Sequence, residues 1–287
     1  MIRKPAVSGA FYPDTKEGVE EVIKDCYLSP FGVGKLPVDA KDFDGKDYPI
    51  NVMVPHAGFI YSGSVASYSY YEIAKNGIPD VFIILSPNHT GFGSDVSVFN
   101  EGEWITPLGN VNVDKEFADA IIDFSDIASS DFDAHIHEHS IEVQLPFLQF
   151  LSDNFKIVPI TMKSQTIVSA NDIASAIVNA GEKLGKSYWV IASTDLSHFN
   201  TQDRANIVDK FVLEDIGNMD EFKLMEEIIQ YNITMCGYGP VMANIIISKL
   251  TGKNEVDILA YATSGDISGD FSRVVGYSNA SYSFCPS

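Results

Sequence analysis

The chain has 287 residues, of which 45% are hydrophobic, and it carries 39 acidic against 19 basic side chains, a formal net charge of -20. This composition is typical of a soluble globular protein with a substantial core. A surface so negative repels the phosphate backbone, so we expect no nucleic-acid partner. The N-terminus has no apolar leader region and no apolar run approaches the ~18 residues of a membrane span, which predicts a cytoplasmic protein without membrane contact.

Five short apolar segments indicate β-strands that are covered on both faces, because they are rich in β-branched residues and nearly continuous in apolar character. They lie at 50–55, 80–86, 155–162, 188–194 and 256–263. The alternating segment 276–284 indicates an edge strand or a hairpin partner.

Patterns of helical period separate these strands. One has Ser169 as its predicted N-cap and Gly185 as its end, and another runs between Thr201 and Gly217. The alternation predicts an α/β layered fold with a largely parallel or mixed central sheet. No linker, charge block or repeat divides the chain, so we expect a single domain over 1–287, with 31–46 as a surface excursion.

Several common functional motifs are incomplete. The segment 181–187 lacks one residue of a phosphate loop, and 236–242 has Met242 in place of the third glycine of a dinucleotide fingerprint. No G-x-S-x-G or H-E-x-x-H sequence occurs. These absences make the common ATPases, nicotinamide dehydrogenases, serine hydrolases and zincins less favoured.

Polar side chains follow three of the predicted strands directly. His56 follows the first strand, His89 follows the second, and Asp195 with His198 follows the fourth. The carboxyl ends of parallel strands meet at one edge of a sheet, where ligand crevices form, and neighbouring strands are about 4.8 Å apart. We therefore predict a shared site that contains His56 and His89. A loop histidine with an ordinary structural hydrogen bond is the alternative for each of them taken alone.

A second group of histidines lies in the segment DAHIHEHSIEVQLPFL. His135 and His137 are predicted to lie on the surface, whereas His139 and Glu142 are closer to the apolar face of the helix that follows and are candidates for the wall of the site.

Three cysteines, Cys26, Cys236 and Cys285, are odd in number and form no C-x-x-C pair, which argues against a disulfide framework and a structural zinc site. Cys236 precedes a predicted helix, and a helix N-terminus favours the thiolate, which is the metal-binding form. An inert buried cysteine is the alternative.

The ordered set of motifs resembles the Memo family, also called AmmeMemoRadiSam system protein B. The matching segments are AVSGAFYP (6–13), VPHAGFIYSG (54–63), LSPNHTG (85–91), TPLGNVNVD (106–114), EHSIEVQLPFL (138–148), STDLSHF (193–199), CGYGP (236–240) and YATSGD (261–266).

This resemblance implies an α/β/α sandwich similar to the class III extradiol dioxygenases. It also implies a metal centre of His56, His89 and Cys236, with His198 as acid/base and Asp195 beside it. The dioxygenases use a carboxylate where Cys236 stands, and a thiolate favours copper or iron and is itself oxidisable.

Three functions follow as hypotheses. The first is a metal-dependent redox protein, with iron(II) ahead of copper, in which His198, Asp195 and His139 serve a small-molecule substrate. The second is a peptide-binding, anion-binding or metal-handling adaptor with a vestigial site, and the third is a metal-assisted hydrolase or lyase. The family's name suggests a functional link to a radical-SAM protein.

Overall fold

The computed structural model describes residues 1–37 and 50–284. Most of the predicted surface excursion at 31–46 therefore lies outside the described residues, and so does Cys285. Within the described part of the chain, no helix has the length and apolar character needed to cross a membrane.

The strands are β1 (Ile2–Arg3), β2 (Asn51–Val54), β3 (Val81–Pro87), β4 (Val96–Val98), β5 (Glu103–Thr106), β6 (Gly109–Asn112), β7 (Ala128–Ser130), β8 (Lys156–Met162), β9 (Tyr188–Ser193), β10 (His198–Asn200), β11 (Glu255–Thr263) and β12 (Val274–Ser283). The helices are α1 (Lys16–Leu28), α2 (Ser64–Asn76), α3 (Lys115–Phe124), α4 (Asp133–Ile136), α5 (Leu145–Leu151), α6 (Ile167–Leu184), α7 (Gln202–Gly217), α8 (Glu221–Gln230), α9 (Tyr238–Leu250) and α10 (Ser264–Ser268). A π-helical turn spans Phe59–Gly63 and a 3₁₀ turn spans Glu142–Gln144.

Among the described residues, nine strands form a mixed central sheet in the order β10-β12-β2-β9-β3-β8-β4-β7, with β11 paired to β12. The middle strands β2, β9, β3 and β8 are parallel to one another, whereas β12 is antiparallel to β2 and β4 is antiparallel to β8. A separate three-stranded sheet joins β1, β5 and β6.

Helices cover both faces of the central sheet. One apolar cluster packs α3, α6, α7, α8 and α9 against one face, and a second packs α1, α2 and α5 against the other. β2 and β3 are buried throughout, and β8 and β9 are buried apart from their first residues. The predicted α/β fold with a mixed central sheet flanked by helices is confirmed.

Two local predictions are wrong for identifiable reasons. β11 is not covered on both faces, because only its last two residues are buried, and it lies at an edge of the sheet with β12 as its one strand partner among the described residues. The hairpin pairing predicted for 276–284 is confirmed, but β12 is an interior strand, since β2 and β10 pair with its other side. The N-cap of α6 is Thr166, whose hydroxyl accepts a hydrogen bond from the N–H of Ser169, the residue predicted for that role.

A buried ion pair connects the N-terminal segment to the 3₁₀ turn at Glu142–Gln144. The guanidinium of Arg3 pairs with the carboxylate of Glu142, and both side chains are almost completely buried. The same carboxylate accepts hydrogen bonds from the N–H groups of Ala6 (2.7 Å) and Val7 (3.1 Å) and from the hydroxyl of Tyr12 (2.6 Å). Glu142 thus has a structural role, and its predicted place in the wall of the site stays a prediction.

We predict that Glu142→Gln lowers the free energy of unfolding by about 3–5 kcal/mol, because it leaves the Arg3 charge buried without a countercharge. The matched control is Glu72→Gln, which removes a partly exposed ion pair with Lys75 and should cost less than about 1 kcal/mol. Urea unfolding of both variants measures the difference. A loss for Glu142→Gln no larger than that of the control would contradict this account.

Candidate metal centre

The site lies at the carboxyl edge of three adjacent parallel strands. β9 lies between β2 and β3 in the sheet, and the chain leaves these strands towards Asp195, His56 and His89 respectively. The convergence that the sequence predicts for strand-end side chains is confirmed for His56 and His89, whose ring centroids are 5.2 Å apart.

The tautomer of His56 follows from its hydrogen bonds. The hydroxyl of Ser193 donates its one proton to the carbonyl oxygen of Ser140 (2.7 Å) and accepts from the side-chain amide of Gln144 (2.8 Å). The Nδ1 of His56, 2.9 Å from that hydroxyl oxygen, must therefore carry a proton and donate it. The Nε2 lone pair remains available for a metal ion.

Burial, together with the charges of His139 and His89, holds the pKa of His56 well below its usual value. The imidazole is consequently neutral around pH 7, which is the form that binds a metal.

Glu138 fixes His89 in the same manner. Its buried carboxylate accepts hydrogen bonds from the Nδ1 of His89 (2.9 Å) and from the backbone N–H of His89 (2.6 Å). It also accepts from the N–H of His139 (3.0 Å) and the hydroxyl of Ser140 (2.8 Å). A carboxylate behind a histidine orients the ring, directs Nε2 away from itself and increases the basicity of that nitrogen.

Electrostatics strengthen the His89–Glu138 pair. Burial acts to lower the pKa of His89, but the hydrogen bond to Glu138 and the charge of its carboxylate outweigh burial and raise that pKa. Burial disfavours the Glu138 carboxylate, yet the hydrogen bond and charge of His89 and the charge of His139 lower its pKa to about 2. Glu138 is therefore an anion throughout the physiological range.

His139 completes a cluster of three imidazoles. One nitrogen from each of His56, His89 and His139 lies within 4.8 Å of the others. The His139 ring stacks on His89 with centroids 4.7 Å apart and stands perpendicular to His56 at 5.3 Å. Burial, with a contribution from the charge of His89, lowers the pKa of His139 to about 4, so this ring is also neutral.

Cys236 borders the same cluster from the loop between α8 and α9. Its Sγ lies 3.2 Å from the Nε2 of His56 and accepts a hydrogen bond from the N–H of Asp195 at 3.2 Å. Gln165 clamps the loop, because its amide donates to the carbonyl of Cys236 and accepts from the N–H of Gly239, both at 2.8 Å.

The nearby helix N-terminus predicts a thiolate at Cys236, and this prediction is wrong for the protein without a metal ion. Burial, and then the negative charge of Asp195, raise the pKa of the Cys236 thiol. The neutral thiol can donate to the lone pair of His56, and a bound cation would be needed to remove its proton.

Asp195 and His198 lie beside the cluster. The carboxylate of Asp195 accepts from the N–H of His56 at 2.8 Å, and burial raises its pKa. The Nδ1 of His198 is 2.9 Å from the carbonyl oxygens of both Leu196 and Thr234, so it donates a proton and leaves Nε2 for proton exchange.

Sequence reasoning missed two essential residues and misplaced another. Glu138 and Ser193 hold the rings of His89 and His56, and the available signal was the position of Glu138 between two histidines and of Ser193 at a strand end. His135 is fully buried, with its ring nitrogens near the carbonyl of Ser97 and the hydroxyl of Thr161, so its predicted surface position is wrong. His137 is exposed as predicted.

Comparison with known proteins establishes the family. A family model described as "Memo-like protein" matches residues 3–281. The chain belongs to the Memo-like family. A MEMO1 family protein of Methanobrevibacter smithii is 70% identical over 279 residues, which cover 97% of this chain and 99% of that protein. Another from Methanothermobacter thermautotrophicus is 45% identical over 98% of this chain and its own full length.

A solved structure of an uncharacterized protein from Escherichia coli shares the fold. It has a TM-score of 0.57 and 10% sequence identity, and the match covers 81% of this chain and 99% of that one. At this identity, the likeness concerns the fold alone.

The donor set of this Memo-like chain fits a transition metal. Neutral imidazoles suit zinc, copper and iron, and a thiol adds preference for copper(I), zinc or iron. Preset tautomers and a buried carboxylate behind His89 are the outer hydrogen bonds that metal-binding histidines commonly have. The three imidazoles are thus a possible metal site, and this donor set is compatible with zinc, copper and iron alike.

We predict that Glu138→Gln weakens metal binding by about 10- to 100-fold, because the amide cannot hold both His89 and the following backbone as a carboxylate does. Calorimetric titration with Zn²⁺, which is not oxidised by air, measures this change. Asp133→Asn, an exposed change in the same segment, is the control and should bind as the wild type. Equal affinities for Glu138→Gln and the control would refute the role given to Glu138.

Proposed function

We propose that this protein is a metal-dependent redox enzyme for a small molecule, with iron(II) as the first candidate metal and copper as the second. The observation that supports this most directly is the cluster of His56, His89 and His139, in which hydrogen bonds to Ser193 and Glu138 preset the first two rings. When bound, such an ion would supply Lewis-acid and one-electron chemistry.

In this proposal His56, His89 and Cys236 hold the metal. The 3.2 Å distance between Cys236 Sγ and His56 Nε2 supports the thiol as third donor, although the imidazole of His139 is an equally close-set alternative. His139 then lines the pocket and offers a hydrogen bond to the substrate.

His198 takes and returns the substrate proton at Nε2, since its Nδ1 is bound to two backbone carbonyls. Asp195 holds the backbone at His56 and, through its own N–H, the sulfur of Cys236. Asp195 therefore supports the alignment of two proposed ligands, His56 through its carboxylate and Cys236 through its backbone N–H.

Metal loading tests the ligand set. Anaerobic reconstitution with Fe²⁺ or Cu⁺, followed by elemental analysis, should give near-stoichiometric metal in the wild type and in His137→Ala, whose exposed histidine is the matched control. His56→Ala, His89→Ala and Cys236→Ser should lose most of it while keeping wild-type circular dichroism. Retention by Cys236→Ser with loss by His139→Ala would make His139 the third ligand. Retention by all variants would contradict the metal site.

Turnover tests the role of His198. Oxygen uptake with a panel of phenols should require the metal, and His198→Asn should bind metal normally but react about 10²- to 10⁴-fold more slowly. Full activity of His198→Asn would remove it from the mechanism.

Metal-assisted hydrolysis is the second candidate, and the three-imidazole grouping favours it, because three histidines are a known catalytic zinc set that activates water. Conversion of substrate by the Zn²⁺-loaded protein without oxygen uptake would favour this candidate over the redox enzyme. Ligand binding that survives removal of the metal would instead favour a binding or adaptor protein.

A further inference from the structure

The backbone next to His198 has an unusual conformation. In the ladder between β10 and β12, His198 pairs with Val275 and Asn200 pairs with Val274, which leaves Phe199 as the extra residue of a β-bulge. Phe199 has φ of 60°, a left-handed conformation that is unfavourable for residues with a side chain. Bulges and such strain recur next to active sites, where they redirect a side chain.

The ring of Phe199 makes a cation–π contact with Arg273. Phe199 is 65% exposed, and the guanidinium of Arg273 lies over its face, 5.0 Å from the centroid. The other neighbour of the ring is His198, with centroids 5.9 Å apart in an edge-on arrangement. The ring of Phe199 therefore has both the Arg273 cation and the proposed acid/base as neighbours.

The charge of Arg273 forms no ion pair with any carboxylate in the described part of the chain. Among the described residues, no Asp or Glu lies within ion-pair distance of its guanidinium, although the chain has 39 acidic residues. The contact with Phe199 uses no N–H hydrogen bond, so the guanidinium keeps donors for a ligand. A guanidinium matches a carboxylate or a phosphate with two parallel hydrogen bonds.

The overall charge makes a local cation necessary for an anionic substrate. A net charge of -20 repels anions at long range, so a small anion needs a fixed positive group near the point of reaction. Arg273 is exposed and lies over the ring of Phe199, the residue that follows His198 in the chain.

We propose that Arg273 is a specificity-determining residue that binds a carboxylate or phosphate group of the substrate and so places its reacting part beside His198. This inference rests on the proposed function for the role of His198. It adds that the substrate is an anion.

Titration of the full-length protein with inorganic phosphate and, separately, with acetate tests the proposal. Nuclear magnetic resonance of the histidine rings reports binding, and at least one anion should shift the His198 signals saturably. Arg273→Gln should weaken that binding by about tenfold or more, because a hydrogen bond to a charged group is lost. Arg273→Lys should retain part of it. The anion that binds more tightly identifies the chemical group.

The matched control is Lys183→Gln on α6. It removes an exposed cation that lies 5.3 Å from the ring centroid of Phe124, and it should leave anion binding unchanged. Both titrations are repeated in His56→Ala, where binding through Arg273 should persist. Failure of the metal site and failure of this inference are thereby separate results. Absence of a saturable shift at His198 with either anion, or equal affinity in Arg273→Gln and wild type, would overturn the proposal.

Discussion

The single hydroxyl proton of Ser193 determines the chemistry of the site. Tyr70 donates to the side-chain carbonyl of Gln144, which orients the amide of Gln144 towards Ser193. The hydroxyl of Ser193 donates its one hydrogen bond to the carbonyl of Ser140, so its remaining bond to His56 requires an N–H donor on the imidazole. All of these groups are buried, and an unmatched donor among them would cost about 1–3 kcal/mol. The fold therefore presents the Nε2 lone pair of His56 at the sheet edge.

A second constraint, the Glu138 carboxylate, sets the opposite side of the cluster. It binds both the ring and the backbone of His89, and it also fixes the backbone that leads into His139. The anion accepts the Nδ1 proton of His89 in a hydrogen bond and, once a cation is bound, would have a charged partner nearby. The surroundings of Cys236 have the opposite effect, because burial and the charge of Asp195 disfavour ionisation of its thiol and raise its pKa. These opposite tendencies explain why the imidazoles are ready for a metal while the thiol needs the metal to ionise.

The position of the site could be predicted from sequence because it depends on sheet geometry. His56, His89 and Asp195 each follow a strongly apolar segment, and parallel neighbouring strands bring such positions to one edge. The Memo resemblance added Cys236, whose Sγ lies beside His56, whereas its ligand role stays a prediction. Glu138 and Ser193 escaped prediction, since their function depends on partners 49 and 137 residues away in the chain. His135 on α4 has polar neighbours in the sequence. Its burial is possible because Ser97 on β4 and Thr161 on β8 supply hydrogen-bond partners for its ring nitrogens. The exposure of β11 likewise follows from strand order, which the periodicity of one segment does not contain.

The tautomer of His56 in metal-free protein is the most direct measure of this account. Long-range ¹H–¹⁵N correlation spectra of the histidine rings distinguish a proton on Nδ1 from one on Nε2. The hydrogen bonds around Ser193 require neutral His56 with its proton on Nδ1, and Ser193→Ala should reduce that preference. A proton on Nε2 of wild-type His56 would show that the lone pair does not face the cluster and would contradict a preset metal site.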